Sequence, residues 1–148
     1  MANLTYNIAL GRVASLAALG AANDALILVP LEASGLVADS TMRDYDTLAD
    51  LLAGASNEQT SLGRKTLASV TVTINDTNDR VEVDAADVTW TAPTGTPVGA
   101  VVIGYVPDTT SPSDAAIIPL TKHDLAWTPD GNNFTLTIAD FYRASSAA

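Results

Sequence analysis

The chain contains no cysteine and only one histidine, His123, among its 148 residues. Without thiols it forms neither a disulfide framework nor a thiolate zinc site. A catalytic zinc ion needs about three protein ligands, commonly histidines, so the composition argues against a zinc enzyme. The absence of cysteine is typical of proteins made in a reducing cytosol, including subunits of particles that are assembled there and released later.

Basic residues are also scarce, with 7 Lys and Arg against 17 Asp and Glu, which gives a formal net charge of −10. A phosphate backbone would be repelled by that field, so nucleic-acid binding is not expected. The basic residues are scattered and form no stripe: Arg12, Arg43, Arg64, Lys65, Arg80, Lys122 and Arg143.

Charge of either sign is low for a solvated domain of this size, at 16% of residues, and the mean hydropathy is +0.20. Either Thr, Ser, Asn and Ala cover much of the surface, or part of it is buried against other subunits. No apolar run reaches the roughly 18 to 20 residues that span a bilayer, so no membrane segment is expected. The N-terminus lacks a basic region and Arg12 interrupts its apolar run, which argues against a signal peptide.

The sequence also lacks the common catalytic and nucleotide-binding motifs. It has no G-x-S-x-G nucleophile elbow, no P-loop and no G-x-G-x-x-G. Asp124 follows His123 directly, but adjacent residues on a strand point to opposite faces, so this carboxylate is badly placed to orient the imidazole. We interpret His123 as a surface or subunit-contact residue, and expect that the protein is not an enzyme. Carboxylate pairs for glycoside hydrolysis stay open, because their separation is a spatial property.

We expect no cofactor, and a cluster of acidic residues leaves a calcium site as the weaker alternative. Asp76, Asp79, Asp84 and Asp87 supply the oxygen ligands that hard cations prefer. Their D-x-x-D spacing does not match an EF-hand loop. Turns rich in Asp and Asn explain the same residues more simply.

The N-terminal half predicts two helices around one strand. Apolar residues at helical spacing predict a first helix over residues 5–19, ended by Gly20. The nearly continuous apolar run 25–33 predicts a buried strand, which Pro30 moves toward a sheet edge or a bend.

A second helix is predicted over residues 40–56. Thr41 and Asp44 stand at capping-box spacing, and Tyr45, Leu48, Leu51 and Leu52 form one apolar face. Gly54 or Asn57 can end this helix, and the polar residues 57–65 predict a loop.

From Thr66 onward the sequence predicts strands. Short runs rich in Val, Ile, Thr and aromatic residues occur at 67–74, 80–83, 87–92, 98–106, 115–120, 123–128 and 133–138, separated by turn-forming residues. The expected fold is therefore mainly β: an antiparallel β-sandwich or barrel-like part, residues 66–148, preceded by a helical and strand segment, residues 1–65. We expect the two parts to form one compact unit, with residues 143–148 as a loose tail.

The only histidine falls on a predicted hairpin. The turn Pro-Asp-Gly-Asn should join strands 123–128 and 133–138, with Gly131 at a positive φ. Alternation places His123, Leu125 and Trp127 on one face, and Asp124 and Ala126 on the other.

Several stretches resemble a family of small proteins encoded among the structural genes of tailed phages of actinobacteria. These are "ALGR" (9–12), "MRDYDTLADLLA" (42–53), "TNDR" (77–80), "IIPLTKHDLAWTPDG" (117–131) and "ADFYRA" (139–144). The resemblance covers nearly the whole chain, and the second and fourth stretches are the most specific. Leu125 stands where the pattern more often has Phe.

The resemblance implies a virion structural protein without catalysis: a capsid decoration (cement) or minor capsid protein on the capsid surface, assembled in the host cytoplasm. Its expected partners are the major capsid protein and further copies of itself, as in a trimer. We expect an N-terminal arm to make the contact through Leu4, Tyr6, Ile8, Leu10, Val13 and Leu16. The alternative is a tail or tail-fibre module for host recognition, with loops 93–97 and 108–114 as its contact face.

Overall fold

Ten β-strands and three short α-helices form the regular structure of residues 3–54 and 56–146, which are the residues that this computed structural model describes. The strands are β1 (Leu4–Thr5), β2 (Ala25–Glu32), β3 (Lys65–Thr66), β4 (Thr71–Asn75), β5 (Arg80–Asp84), β6 (Val88–Trp90), β7 (Val98–Val106), β8 (Ile118–Trp127), β9 (Phe134–Leu136) and β10 (Tyr142–Ser145). The helices are α1 (Val13–Ala17), α2 (Asp39–Met42) and α3 (Leu48–Ala53), and a 3₁₀ helix covers Asn7–Ala9.

The largest sheet is antiparallel, with strand order β1-β8-β7-β2-β3. Its central strands are apolar along their whole length because both faces of the sheet are covered. Val29 pairs with Val102 on one face and Leu28 pairs with Ile103 on the other. All four side chains are no more than 2% exposed. Such double coverage explains why β2 and β7 lack the alternation of a half-exposed strand.

Different parts of the chain cover the two faces. The helices α2 and α3 lie against one face, where Asp39 of α2 contacts Lys122 of β8 and the Leu48 amide of α3 donates to the Ile117 carbonyl (2.9 Å). Helix α1 instead contacts β4 and β5 of a smaller sheet. The connection from β9 to β10 faces the other side of the sheet. Two smaller antiparallel sheets, with orders β10-β5-β4 and β6-β9, complete the structure of the described residues.

The prediction of a mainly β protein with antiparallel sheets and N-terminal helices is confirmed. The boundary drawn between residues 65 and 66 falls inside β3. Strands from both sides of that boundary share the largest sheet, since β1 pairs with β8 and β2 pairs with β7. Residues 1–65 thus supply strands to the sheet as well as helices.

The predicted first helix over residues 5–19 is wrong in most of its length. Leu4 and Thr5 instead pair with β8, and Gly11 adopts φ +73°, which interrupts any continuous helix. Only the five residues of α1 are α-helical, and Leu19, not Gly20, takes the left-handed conformation after it (φ +50°). Pairing with a neighbouring strand has overridden the helical spacing of the apolar residues.

Pro30 lies in an inner strand rather than at the edge or bend that we predicted. The Gln59 amide donates to the Pro30 carbonyl (2.9 Å), so the loop that includes Gln59 covers β2 beyond the short strand β3. The N–H and C=O positions of one strand residue point to the same side. The missing N–H of Pro30 therefore faces this loop, and pairing with β7 is undisturbed.

The predicted second helix over residues 40–56 is divided into α2 and α3. The N-cap of α3 is Thr47, whose hydroxyl accepts a hydrogen bond from the Asp50 amide (3.1 Å). The capping box expected at Thr41 and Asp44 does not form. The predicted end at Gly54 is confirmed. The sequence offers two Thr-x-x-Asp caps, at Thr41 and at Thr47. The cap that forms is the one at Thr47, which precedes the buried Leu48.

Two further predictions about the C-terminal part are wrong. Runs 115–120 and 123–128 belong to the single strand β8, which pairs with β1 and β7, whereas β9 pairs with β6. The expected hairpin is therefore absent, although Gly131 has the expected positive φ of 85°. Part of the predicted loose tail is β10, which pairs with β5 from Tyr142 to Ser145.

Candidate functional site

The six predicted contact residues of the N-terminal segment fall into three groups. Tyr6 and Val13 are fully buried in the core of the protein. Their side chains are therefore unavailable to a partner, which corrects that part of the prediction. Leu4, Ile8 and Leu16 are partly buried against the same core. Leu10 alone is well exposed, at 60% of its surface.

Leu10 belongs to a surface patch that we call the N-terminal patch, formed by Leu4, Asn7, Leu10 and Arg43. These residues line a shallow hollow of about 440 Å³ together with Asn3, Thr5 and Asp39. The hollow thus combines apolar and polar side chains, and both kinds occur in protein contact surfaces. The N-terminal patch is the site where the predicted contact residues meet solvent.

Hydrogen bonds from α2 and the turn after it hold the N-terminal patch in shape. The Asn7 amide nitrogen donates to the Arg43 carbonyl (2.9 Å), and the Asn7 side chain donates to the Asp44 carboxylate (2.7 Å). Arg43 Nε donates in turn to the Asp39 carbonyl (3.3 Å). Leu10 is therefore presented on an ordered turn, ahead of the positive φ at Gly11.

Tyr6 lies in the same segment as the patch, and its hydroxyl is buried. Burial raises the pKa of Tyr6 far above its ordinary value, and the negative charge of Asp39 adds to the effect. The hydroxyl has no hydrogen-bond partner among the described residues. Since buried polar groups are normally paired, the ring is held here by packing alone.

Lys122 is a second buried polar group on the helix-covered face. Its ammonium lies 2.9 Å from Asp39 Oδ1 and 2.5 Å from Asp124 Oδ1. The side chain is fully buried, whereas both carboxylates keep some contact with solvent. We did not predict this cluster. The alternation of β8 could have indicated it, because Lys122 lies two positions after the buried Leu120 and therefore on the same face of the strand.

His123 points to the opposite face of β8, as the alternation predicted. His123 Nε2 lies 2.9 Å from Thr121 Oγ1, and Asp124 bonds to Lys122 instead of the imidazole. Burial lowers the pKa of His123, the charge of Lys122 lowers it further, and Asp124 partly opposes both. Thr121 as a whole residue is only 2% exposed, which is unfavourable for a nucleophile that must reach a substrate.

A cleft of about 230 Å³ lies beside His123, between the large sheet and residues 136–141. Its lining includes apolar Val101, Ile103 and Leu125, as well as Asp124 and Asp140. This volume is below the roughly 300 to 1,000 Å³ of typical small-molecule pockets. Among the described residues, no hydrogen bond joins His123, Asp124 and Asp140 of this cleft to one another.

The four aspartates of the alternative calcium site are not brought together. Asp76 and Asp79 lie in the turn before β5 and Asp84 at its far end, about 16 Å away along the strand. Asp84 accepts from the Ala85 amide (2.8 Å) and Asp87 accepts from the Ile138 amide (2.9 Å). Within residues 3–54 and 56–146, no group of three or more acidic or histidine side chains is arranged to hold a metal ion.

Three aromatic residues of the predicted strands, Trp90, Trp127 and Phe134, form one cluster. Trp90 is nearly buried and donates from Nε1 to the Leu62 carbonyl (3.2 Å). Trp127 and Phe134 stack with their ring centroids 4.0 Å apart. This contact joins β8 to β9 through side chains, where we had expected backbone pairing.

The two loops of the alternative host-recognition surface lie at opposite ends of β7. Residues 93–97 precede that strand and residues 108–114 follow it, so roughly 30 Å separates them. Both loops are tied to other parts of the protein. Gln59 donates to Thr96 in the first (2.7 Å to the carbonyl), and Arg64 joins Glu58 to Asp114 in the second. They do not form one contact face.

Comparisons of the chain with protein-family models, with curated proteins and with solved structures find no match in any of the three. Within the described residues no helix is long and apolar enough to cross a membrane.

Proposed function

We propose that the protein is a virion structural protein that binds the outer surface of a phage capsid shell and stabilises it, without carrying out a reaction. The resemblance of residues 42–53 and 117–131 to small phage structural proteins supports this function. The observation that carries the proposal in the structure is the exposed Leu10, held on an ordered turn within the N-terminal patch.

The composition of the N-terminal patch suits binding to another protein. The chain has a formal net charge of −10, which weakens its approach to an acidic surface. The patch itself combines apolar Leu4 and Leu10 with the guanidinium of Arg43. At protein interfaces a few central residues, Arg frequently among them, supply most of the binding free energy, and the contacts around them exclude water. We therefore assign the shell contact to this patch, and the major capsid protein as its partner.

The contact surface is part of the folded domain and not a detachable arm. Tyr6, Ala9, Val13 and Ala17 are all buried in the core, and β1 pairs with β8. Deletion of residues 2–19 would remove these core side chains along with Leu10. Such a truncation would unfold the protein, so point substitutions are the appropriate test.

The proposal is tested by cosedimentation of the purified full-length protein with capsid shells that lack it. Full burial of a leucine side chain contributes about 1.5 to 3 kcal/mol, so Leu10→Asp should raise the dissociation constant at least about tenfold. The matched control is Ala126→Asp, which adds the same charge at an exposed position of β8. This control should bind as the unaltered protein does.

Equal binding of Leu10→Asp and Ala126→Asp to shells would exclude the N-terminal patch as the contact. Absence of shell binding by the unaltered protein would contradict the capsid proposal itself. Binding to purified tails or host cells in the same assay would identify the protein as a tail or tail-fibre module.

A further inference from the structure

The outer strand of the three-stranded sheet has an open edge. β4 is hydrogen-bonded to β5 on one side, and residues 71–74 are exposed on both faces. No other described residue makes a backbone hydrogen bond to the opposite side of β4. A free edge of this kind presents unpaired N–H and C=O groups to any further strand.

β4 also lacks the features that normally protect an edge strand. Residues 69–75, with the sequence SVTVTIN, contain no charge and no proline. Its pairing with β5 runs without a bulge from Thr71 to Asn75. The other outermost strands differ: β1 and β3 are two residues long, β6 and β9 are three residues long, and β10 carries Arg143. Charges, prolines, bulges and short length are the usual protections against edge-to-edge pairing.

The exposed edge carries an apolar patch on one face. Ile74 is 75% exposed and Val72 is 37% exposed. Their partners on β5 are Val81 and Val83, so the apolar side chains share a face. Val83 is buried in the core, whereas Val81 is only partly buried, so the patch grows more exposed toward the turn.

We propose that β4 pairs antiparallel with β4 of a second copy of this chain, about a twofold axis at Thr73. This register places Val72 opposite Ile74 of the second copy, and Thr71 opposite its Asn75. Directly opposite residues share a face, so apolar side chains meet apolar ones and polar side chains meet polar ones. The result is one continuous six-stranded sheet across the axis.

Electrostatics favour a second copy at this edge over other regions of the surface. Two copies with formal net charges of −10 each repel one another. The strand itself contributes no charge. On β5, Arg80 and Glu82 pair with each other at 2.5 Å, which leaves Asp84, opposite Thr71, as the one further charge of that strand. The pairing requires no capsid, so this inference stands independently of the shell-binding proposal.

Sedimentation of the full-length protein over a range of concentrations tests the pairing. We expect reversible association of 15.3-kDa monomers into a dimer. Ile74→Asp should weaken dimerisation about tenfold or more, because it removes two apolar contacts by symmetry. Leu10→Asp is the matched control, since it also replaces an exposed apolar residue with Asp. It should leave the dimer unchanged, so dimerisation and shell binding are separated by the same pair of variants.

Cross-linking provides a second test that does not depend on the stability of the Ile74 variant. The protein has no cysteine, so Thr73→Cys introduces a unique thiol at the axis. Opposite Cα atoms in an antiparallel pair lie about 4.5 to 5.5 Å apart, within the range of a disulfide. Mild oxidation should join most of this variant into a dimer. Thr135→Cys, at an exposed position of β9, should stay mostly monomeric under the same conditions.

A monomer at every concentration up to about 1 mM would overturn the inference. Equal cross-linking of the two cysteine variants would also overturn it. An oligomer that Ile74→Asp leaves intact would show that the copies associate through another surface.

Discussion

Lys122 of β8 and Asp39 of α2 form an ion pair of 2.9 Å across 83 positions of the chain, and the lysine side chain is fully buried. Asp124 Oδ1 also contacts the ammonium. The pair fastens the short helix beside the N-terminal patch to the central sheet. Loss of both carboxylate charges would leave a buried ammonium in a site arranged for two anions.

We expect the double variant Asp39→Asn/Asp124→Asn to lower the free energy of unfolding by about 3 to 5 kcal/mol. Lys122→Met should cost less, because it fills the same space and leaves two carboxylates that still reach solvent. Urea denaturation of the three proteins measures the difference. A larger loss for Lys122→Met than for the double variant would show that the carboxylates, not the ammonium, depend on the pairing.

The cap of α3 provides a second prediction. Thr47 accepts a hydrogen bond from the Asp50 amide and donates one to the Asp50 carboxylate (2.7 Å), and the helix has only six residues. Thr47→Ala should reduce stability by about 1 kcal/mol. Thr41→Ala is the control, since Thr41 lies within α2 and is exposed.

Thermal denaturation of the two alanine variants distinguishes the two caps. A larger loss of stability from Thr41→Ala than from Thr47→Ala would contradict the division into α2 and α3. It would favour the single helix over residues 40–56 that the sequence predicted.

A third prediction concerns pH and His123. Its pKa is lowered in the folded protein, so the unfolded chain binds more protons as the pH falls below about 6.5, the ordinary histidine value. Stability should therefore be complete above that pH and decline below it. His123→Gln should flatten the dependence of the free energy of unfolding on pH between about 5 and 6.5.

Carboxylates with lowered pKa values, such as Asp114 beside Arg64, lose their contribution only in more acid solution, toward their ordinary value of about 3.9. Denaturation series at pH 5 to 7 therefore isolate the histidine. The prediction fails if the unaltered protein and His123→Gln show the same slope over that range.

The long apolar strands could be predicted from the sequence because their burial dominates local preferences. The run at β7 was predicted with its observed bounds, and β2 was predicted as a buried strand one residue too long. Both lie at the centre of the largest sheet, where neighbours cover each face. In such positions the hydrophobic pattern and the final environment agree.

Short elements could not be predicted, since their structure depends on partners distant in the chain. Thr5 begins the run that was predicted as a helix, but Leu4 and Thr5 pair with Lys122 and Thr121, which lie more than 100 positions away. The pairing of β9 with β6 instead of β8 is a choice of the same kind. The sequence also does not show which side chains are exposed. Tyr6 and Leu10 were both predicted as contact residues, but Tyr6 is buried and Leu10 is exposed.

The most direct test of the capsid proposal is electron cryomicroscopy of phage virions that contain this chain, with the protein located in the map. We predict a regular array of this protein on the outer surface of the shell, with the N-terminal patch and Leu10 facing the major capsid protein. Density for the protein confined to the tail, with a bare shell, would contradict the proposal.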